Sequence, residues 1–346
     1  MKTKTIFLLL LLLAVLSQPN LHAQENPDVG TTLFNHLYTD SDSIIDIRLE
    51  TDLRLLVRRK QLEEYQPATL TFPGVGEDGL SWEVKIRSRG NIRKSVCFYP
   101  PFRLNVKKGD LEEIGFSDSD KIKVVLQCRN GNENLKYLYR EYLIYKMYNL
   151  LDPVSYRVQL AQFTFTDPSG KRDPEVLMGF LIEPLEELAG RVGAQVVERE
   201  SASGNMMEDR PYNIMTTFQY MVGNTDWSPR NMHNLSTVKL PEERKMHCIP
   251  YDFDYTGTVD AFYAIPAENS GVKSVRDRIY NGHECSDEEA HFIINLFNEK
   301  EEDLLDIVRH FPHHDEREVN LIVDYLDDFF QLFENERSAT KVLQRR

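Results

Sequence analysis

Short segments of alternating polar and apolar residues occupy the chain from Ser43 to about Cys128, and longer helical patterns follow them. The strand-like segments, which carry alternating or β-branched residues between turn signals, are SIIDIRLETD, ATLTF, SWEVKIRSRG, FRLNVKK and DKIKVVLQC. They predict a mainly antiparallel sheet. The next segment, ENLKYLYREYLIYKMYNLLDP, repeats apolar residues at helical spacing and ends at a proline. It predicts one amphipathic helix packed on that sheet.

The second half of the chain changes from strands to helices. YRVQLAQFTFTD and EVLMGFLIEP predict a hairpin, and YNIMTTFQYMVGN predicts a buried helix. NLSTVKL and KMHCIPYDFDYTG predict a second, smaller hairpin, and the residues from Ser286 onward predict long helices that are acidic on one face. The pattern therefore predicts an α+β protein of two lobes. Residues 43–184 form an antiparallel-sheet N-lobe with one helix and a hinge, and residues 185–346 form a mainly helical C-lobe.

The first residues differ in composition from the rest. Two lysines, an apolar run and a small residue at Ala23 predict a signal peptide over residues 1–23, and residues 24–42 are predicted to be a flexible segment. A short N-terminal anchor is the alternative. Because no second stretch approaches membrane length, we expect a secreted or periplasmic protein without stable membrane insertion after cleavage near Ala23.

Charge and cysteine content narrow the possible partners and compartments. The chain has 41 basic and 55 acidic residues, a formal net charge of −14, which argues against a nucleic-acid surface. Its four cysteines include no C-x-x-C pair. Export permits a disulfide, for which Cys97 and Cys128 are the first candidates. Two buried thiols are the alternative.

The stretch GNTDWSPRNMHNLSTVKL places Asp226 between a predicted helix and a predicted strand. Downstream, PYDFDYTG places Asp252 and Asp254 at the end of the next strand. Phosphoryl transfer needs an acid directed at the attacking hydroxyl and a divalent metal held by oxygen ligands. We therefore predict that Asp226 is catalytic and that Asp252 and Asp254 bind metal. An ordinary capping turn at DWSPRN is the structural alternative.

Two asparagines compete for the remaining metal position. Asn231 has the D-x-x-x-x-N spacing of protein kinases, whereas Asn234 directly precedes the predicted strand. A position beside a strand fixes where a side chain points, and loop length does not. The sequence therefore favours Asn234 as the metal ligand.

Basic residues in the N-lobe are the candidates for binding phosphates. Arg89 lies in the cationic turn SRGNIRK, while Arg103 and Lys107 share one face of the following strand. Either of these two can point at phosphates, with Glu141 as the pairing acid, and Arg103 is also predicted to assist catalysis. The alternative is a solvated face of an edge strand. Glu183, in FLIEP, is predicted to mark the hinge, with its backbone as the expected nucleotide contact.

The segments RGNIRKSVCFYPPFRLNVKK, NLKYLYREYLIYKMYNLL, FQYMVGNTDWS with the following HN, and IPYDFDYTG together resemble the CotH kinase family, atypical kinases named for spore coat protein H. The similarity runs from about residue 46 to 280. It implies a protein-kinase-like fold that binds ATP with Mg²⁺ or Mn²⁺ and phosphorylates serine or threonine in a protein substrate. Asp226 matches the family's catalytic aspartate, and Asp252 matches its metal aspartate. The chain departs from the family in carrying Arg103 where a lysine is expected, and in a longer loop between Asp226 and Asn234.

Two other functions are compatible with parts of the sequence. DFDYTGT fits the D-x-D-x-[TV] pattern of haloacid-dehalogenase phosphatases, whose first aspartate is a nucleophile on the first strand of a parallel sheet. A helical C-terminal part would exclude that hypothesis. The second alternative is a secreted pseudokinase, a nucleotide- or protein-binding module that keeps the fold without turnover.

Overall fold

The computed structural model describes residues 31–72, 80–266 and 270–345. The predicted signal peptide over residues 1–23 lies outside the described residues, as does the start of the segment 24–42. Within the described part, the strands are β1 (Ile45–Glu50), β2 (Gln66–Phe72), β3 (Leu80–Ser88), β4 (Phe102–Asn105), β5 (Lys121–Leu126), β6 (Val158–Thr166), β7 (Glu175–Ile182), β8 (Gln195–Val196), β9 (Leu235–Lys239) and β10 (His247–Pro250). The helices are α1 (Leu33–Leu37), α2 (Leu53–Arg58), α3 (Ile92–Val96), α4 (Lys108–Glu113), α5 (Asn132–Leu151), α6 (Leu185–Arg191), α7 (Asp209–Met221), α8 (Asp287–Glu299), α9 (Glu301–Arg309), α10 (Glu316–Glu334) and α11 (Glu336–Leu343).

The strand-rich half is a closed barrel with the order β1-β2-β3-β4-β5-β7-β6 among the described strands. Its neighbouring strands pair antiparallel except β1 and β6, which run parallel, with Ile45 opposite Ala161. The predicted antiparallel sheet is therefore corrected to a mixed barrel. Alternation shows which face of a strand is buried, but it does not show that the first strand will close the sheet. Closure pairs the strands that would otherwise be exposed edges.

The described residues form two hydrophobic cores. One fills the barrel with the inward side chains of its strands, including Ile86, Phe102 and Val124. The other joins the outer face of β6 and β7 to the helices of the second half. Helix α5 belongs to this second core through residues such as Tyr145 and Met147. The helix predicted to be part of the N-lobe therefore packs between the barrel and the helical lobe.

Additional short helices modify the predicted N-lobe. Helix α1 lies inside the segment 24–42 that was predicted to be flexible, and Thr32 caps it by accepting a hydrogen bond from the Asn35 backbone N–H at 2.9 Å. Short helices also interrupt the barrel strands, so residues 43–184 contain more than the one predicted helix. A disulfide joins Cys97, after α3, to Cys128, after β5. It ties the loop that carries α3 to the end of a barrel strand.

The second half has the predicted helical character. Helices α8 to α11 follow the residues around Asp252, and β10 pairs antiparallel with β9 in a small sheet completed by β8. A phosphatase of the haloacid-dehalogenase type would need a parallel sheet at this position, so that hypothesis is wrong. Within the part of the chain that the structure describes, none of the helices is both long enough and apolar enough to cross a bilayer.

Candidate active site

A cleft of about 550 Å³ lies where the barrel meets the helical lobe. The barrel side contributes the segment from Arg89 to Arg93, and the helical side contributes Asp226, Asn234 and Asp252. Residues up to twenty-six positions apart in the second half thus line the same cavity. The predicted catalytic and metal-binding positions converge on one cleft.

The loop that carries Asp226 is fixed by the end of α7. Gly223 adopts φ of +68°, and a Cβ there would lie 2.1 Å from the Tyr325 hydroxyl, so glycine is required at this turn. Asn224 is buried, donates to Gln219 and accepts the Asp226 backbone N–H at 2.9 Å. These contacts hold the aspartate at the mouth of the cleft.

Both carboxylate oxygens of Asp226 have side-chain partners. Asn234 Nδ2 donates to Asp226 Oδ2 at 3.1 Å and to the Asp226 backbone oxygen at 2.7 Å. His233 Nε2 lies 3.1 Å from the Oδ1 atom. The amide nitrogen of Asn234 is therefore committed to the aspartate, which leaves its Oδ1 atom as the remaining polar group.

The two candidate asparagines differ in burial and in partners. Asn234 is buried and directly precedes β9, whereas Asn231 is exposed at the end of a single 3₁₀ turn. Asn231 also lines the cleft. Of these two asparagines, however, Asn234 is the one that is hydrogen-bonded to Asp226.

The β9–β10 hairpin brings Asp252 beside this pair. Leu235 is opposite Pro250 in the hairpin, and the Tyr251 N–H donates to the Asn234 backbone oxygen at 3.0 Å. Asn234 and Asp252 both have positive φ, +54° and +63°. Asparagine and aspartate are the non-glycine residues that best tolerate this conformation, which is frequent at functional sites. The hairpin thus presents an amide oxygen and a carboxylate at one end.

Arg93 links the two sides of the cleft through an ion-pair cluster. Its Nε donates to Asp254 Oδ2 at 2.7 Å, and its NH2 group donates to Glu141 Oε2. Tyr263 donates to the same Asp254 oxygen at 2.9 Å. Asp254, predicted as a metal ligand, lines the cleft, but it is buried and its Oδ2 atom accepts both of these hydrogen bonds. Glu141 is a pairing acid as predicted, but the prediction of Arg103 or Lys107 as its partner is wrong.

The cluster contains one cation and two carboxylates away from water. Burial raises the pKa of Glu141 and that of Asp254, since Arg93 offsets only part of the desolvation. The charge of Asp252 raises both pKa values further, and that of Asp254 raises the pKa of Glu141. Glu141 Oε1 is also buried without a hydrogen-bond partner among the described residues. The barrel loop, α5 and the residues after β10 are therefore joined by a group of charges that depend on one another.

A row of cations crosses the outer face of the barrel. Arg87 on β3 is opposite Arg103 on β4, and Arg103 is opposite Lys123 on β5. Lys123 stacks over the Tyr251 ring at 4.7 Å, next to Asp252. Burial, together with the charges of Arg89 and Arg103, lowers the pKa of Lys123 to about 8. Cross-strand neighbours of like charge repel, and Glu63, which lies 3.6 Å from Arg87, offsets this repulsion at one end of the row.

The other predicted phosphate ligands occupy different places. Arg89 lines the cleft. Arg103 lies in the middle of the cationic row and is absent from the residues that line the described cleft. Lys107 pairs with Glu83 at 3.0 Å on the exposed barrel surface, so the structure does not place it at the predicted phosphate site.

Glu183 has a different environment from the one predicted. Its side chain is buried between Arg157 and Arg191, and its backbone N–H donates to the Arg157 carbonyl at 3.0 Å. The residue follows β7 at the junction of the two halves, as expected for a hinge. Its N–H is, however, already used within the fold.

Sequence reasoning did not select Arg93, Lys123 or His233. Arg93 belongs to the segment SRGNIRK, which was predicted to be a cationic turn, and part of that segment forms α3. Lys123 was detectable, because its neighbours Ile122 and Val124 alternate with it and face the barrel core. His233 gave no signal apart from its place beside Asn234.

His247, on β10, lies between two carboxylates that hold the strand leading to Asp252. Its Nε2 is 2.7 Å from Asp152 Oδ2, and its Nδ1 is 3.0 Å from Glu243 Oε1. Burial alone would lower the pKa of His247, but the hydrogen bonds and charges of the two carboxylates outweigh it and raise that pKa. The charged imidazolium thus stabilises the hairpin.

We expect His247→Gln to lower stability by about 1.5–3 kcal/mol near pH 6, the usual contribution of hydrogen bonds to a charged group. Because the folded pKa of His247 is raised, its contribution is complete below the unfolded value of about 6.5 and is lost as pH rises through the folded value. The difference in the free energy of unfolding between wild type and His247→Gln should therefore be smaller at pH 9 than at pH 6, as measured by urea unfolding. His291→Gln, at an exposed pair with Glu336, is the control. Equal deficits for His247→Gln at both pH values would contradict this assignment.

Within the described residues, no group of three or more histidine, cysteine, aspartate or glutamate side chains is arranged to hold a metal ion. A carboxylate and an amide oxygen nevertheless fit a hard divalent cation, which takes oxygen ligands and completes its shell with substrate phosphates and water. Asp252 Oδ atoms and Asn234 Oδ1 accept no hydrogen bond from the described residues, in keeping with such a role.

Comparisons with known proteins give limited similarity. No protein-family model matches this chain, and no curated protein matches it. Among solved structures, the chain is similar to that of the Helicobacter pylori proinflammatory kinase CtkA, with 9% identity and a TM-score of 0.36. That match covers 69% of this chain and 93% of the other. The functional assignment therefore depends on the residues of the cleft.

Proposed function

We propose that this chain is an ATP-dependent protein kinase, similar to the CotH family, that transfers the γ-phosphate of ATP to serine or threonine hydroxyls. The observation that carries the proposal is the arrangement of Asp226, Asn234 and Asp252 in one cleft. Arg89 and Arg93 line the same cleft. Phosphoryl transfer requires little more than positioned acids, a metal site and cations.

Asp226 is the residue that receives or orients the acceptor hydroxyl. Its carboxylate is partly accessible, and its direction is set by the bonds to Asn234 and His233. A fixed carboxylate within hydrogen-bond reach of a hydroxyl is the requirement for general base catalysis. The positive φ of Asn234 and its position before β9 keep that orientation.

Asp252 and Asn234 are the residues that would hold Mg²⁺ or Mn²⁺. When bound, such an ion neutralises charge on the transferred phosphate. The backbone N–H of Asp252 donates to the Tyr145 hydroxyl at 2.9 Å, which fixes the residue against α5.

Arg89 and Lys123 are the cations that would neutralise the charge of the nucleotide phosphates. Arg89 borders the cleft, and Lys123 ends the cross-strand row beside Tyr251. An anion next to these groups would relieve the repulsion within the row and raise the lowered pKa of Lys123. We assign both residues to nucleotide binding.

The proposed setting is outside the cytoplasm. A signal peptide cleaved near Ala23 would deliver the chain to the periplasm or the exterior, where a protein is its substrate. The net charge of −14 supports the expectation that nucleic acid is not a partner. We expect no stable membrane insertion after cleavage.

The proposal is tested with purified mature protein and ATP labelled on the γ-phosphate. We expect a thermal shift with ATP and Mg²⁺ or Mn²⁺, and transfer of label to a protein in a cell-envelope extract. Stabilisation without transfer would instead support a nucleotide-binding pseudokinase. If the protein shows no stabilisation by ATP and no transfer of label, the proposed function is refuted.

A further inference from the structure

A second concavity, of about 660 Å³, lies on the outside of the barrel. Three arginines line it, and we call it the arginine groove. Phe98, Tyr99 and one acidic residue, Glu175, also line it, and the Glu175 carboxylate accepts a hydrogen bond from the Tyr99 hydroxyl. Arg54 and Arg58 are four residues apart on α2 and therefore share one face of that helix. Arg129 approaches from the loop after β5. The groove is separate from the cleft that holds Asp226.

The arginines of the groove form no ion pair with a described residue, and the one carboxylate among the groove's lining residues, that of Glu175, is bonded to Tyr99. Within residues 31–72, 80–266 and 270–345, Arg54 and Arg58 take part in no ion pair, in contrast to the adjacent Arg59, which pairs with Glu64 at 3.3 Å. Arg129 donates to the Val96 backbone oxygen at 3.1 Å and stacks on the Phe262 ring. These exposed cations stand out in a chain of net charge −14. They concentrate positive potential at one place and attract an anionic partner.

Each of the two sites has a large exposed apolar side chain, and α3 lies between them. Phe98 is 56% exposed and Ile92 is 48% exposed, although both are large hydrophobic residues. Ile92 begins α3 and lines the cleft, whereas Val96, at the other end of α3, contacts Arg129. The two sites are therefore separated by about one short helix, on the order of 8 Å along its axis. A peptide held in the groove would therefore start close to the cleft, with the exposed ring of Phe98 available to one of its apolar side chains.

We propose that the arginine groove docks an acidic, unfolded segment of the protein substrate. Carboxylates of the segment would pair with Arg54, Arg58 and Arg129, and an aromatic or aliphatic side chain would pack on Phe98. The acceptor hydroxyl, within roughly ten residues along an extended chain, would then reach Asp226. This inference rests on the proposed kinase function and adds the class of substrate.

Charge complementarity favours a short peptide over other anionic partners. A nucleic acid or an anionic membrane would extend beyond the groove over a surface that is acidic overall, and repulsion would oppose it. A short acidic segment makes contact only where the cations are. The ring of Phe98 also gives a peptide side chain an apolar partner that a phosphate backbone does not need.

The test measures binding without catalysis. The probe is a fluorescein-labelled peptide of twelve residues with six glutamates and one phenylalanine, titrated with the full mature chain and followed by anisotropy. We expect Arg54→Glu/Arg58→Glu to weaken binding at least tenfold, because two attractive charges become repulsive. Arg59→Glu, one position further along, also exposed and absent from the lining of the groove, should stay within twofold of wild type. All three substitutions lie on the surface, where effects on folding are small.

The control ligands decide what the groove recognises. Replacing the glutamates of the probe with lysine should abolish binding, and replacing its phenylalanine with alanine should weaken it severalfold. Equal binding by wild type and the double variant would overturn the proposal, as would equally tight binding of a single-stranded DNA of the same charge. So would a dimer in sedimentation that Arg54→Glu/Arg58→Glu dissociates, since a second copy would then occupy the groove. Because this assay needs no ATP, its failure is distinct from an absence of phosphate transfer.

Discussion

Asp252→Ala is expected to abolish both metal-dependent ATP binding and phosphate transfer, whereas Asp226→Ala abolishes transfer alone. The two carboxylates lie in the same cleft but have different surroundings. Asp226 is bonded to Asn234 and His233 and is available to a hydroxyl, while the carboxylate of Asp252 is left for a cation. Asp226→Ala leaves the metal site intact. Asp252→Ala leaves the charge of the ATP phosphates without the ion that neutralises it.

The two substitutions should also differ in how strongly they change turnover and nucleotide affinity. Loss of a general base lowers the turnover rate by about 10²–10⁴-fold with little change in nucleotide affinity. Calorimetric titration of ATP with Mg²⁺, beside a transfer assay with labelled γ-phosphate, measures the two quantities separately. Asp303→Ala removes an exposed carboxylate on α9 and should change neither. Unaltered nucleotide affinity in Asp252→Ala would contradict the metal assignment, and full transfer by Asp226→Ala would remove the catalytic one.

Local patterns in the sequence were sufficient to predict most strands and helices. The alternation in KIKVVL and the helical spacing around Glu141 gave β5 and α5, since burial of one face is encoded residue by residue. Closure of the barrel was not predictable in this way. It depends on β1 meeting β6 more than one hundred residues later, and neither strand carries a mark of its partner.

The candidate site was predictable where a side chain is fixed by an adjacent strand. Asn234 was preferred over Asn231 because it precedes β9, and it is the one bonded to Asp226. The cation that pairs with Glu141 was not predictable, because several basic residues precede α5 in the sequence and nothing in their spacing shows which one the fold brings to Glu141. Which one arrives is decided by the fold of a short helix, α3, and by the disulfide that anchors its end at Cys97.

Arg93→Met is expected to lower the free energy of unfolding by about 3–5 kcal/mol at pH 7 and to abolish transfer. The substitution keeps the length of the side chain but leaves Glu141 and Asp254 buried with no cation between them. Breaking a buried ion pair by removing one partner is costly, because an uncompensated charge stays in the interior. Transfer should fail as well, since Arg93 holds the loop of Arg89 against α5 and the residues that follow Asp252.

The pH dependence of this loss identifies its cause. The folded-state pKa values of Glu141 and Asp254 are already raised by burial, and they should rise further without Arg93. A carboxyl with a raised folded pKa stabilises the fold below its unfolded pKa of about 4, and this contribution is lost as pH rises through the folded value. The deficit of Arg93→Met should thus be smaller at pH 5 than at pH 8, measured by urea unfolding.

A second substitution distinguishes lost charge compensation from lost packing. Glu141→Gln, added to Arg93→Met, removes one of the two uncompensated carboxylates and should restore part of the stability without restoring transfer. Arg59→Met, at an exposed ion pair, serves as the control and should have little effect. If Arg93→Met alone lies within 1 kcal/mol of wild type, or if its deficit is independent of pH, the cluster does not hold the two sides of the cleft together as charges. Packing of the Arg93 side chain, and not its charge, would then hold the two sides together. Other contacts would have to keep Arg89 at the cleft.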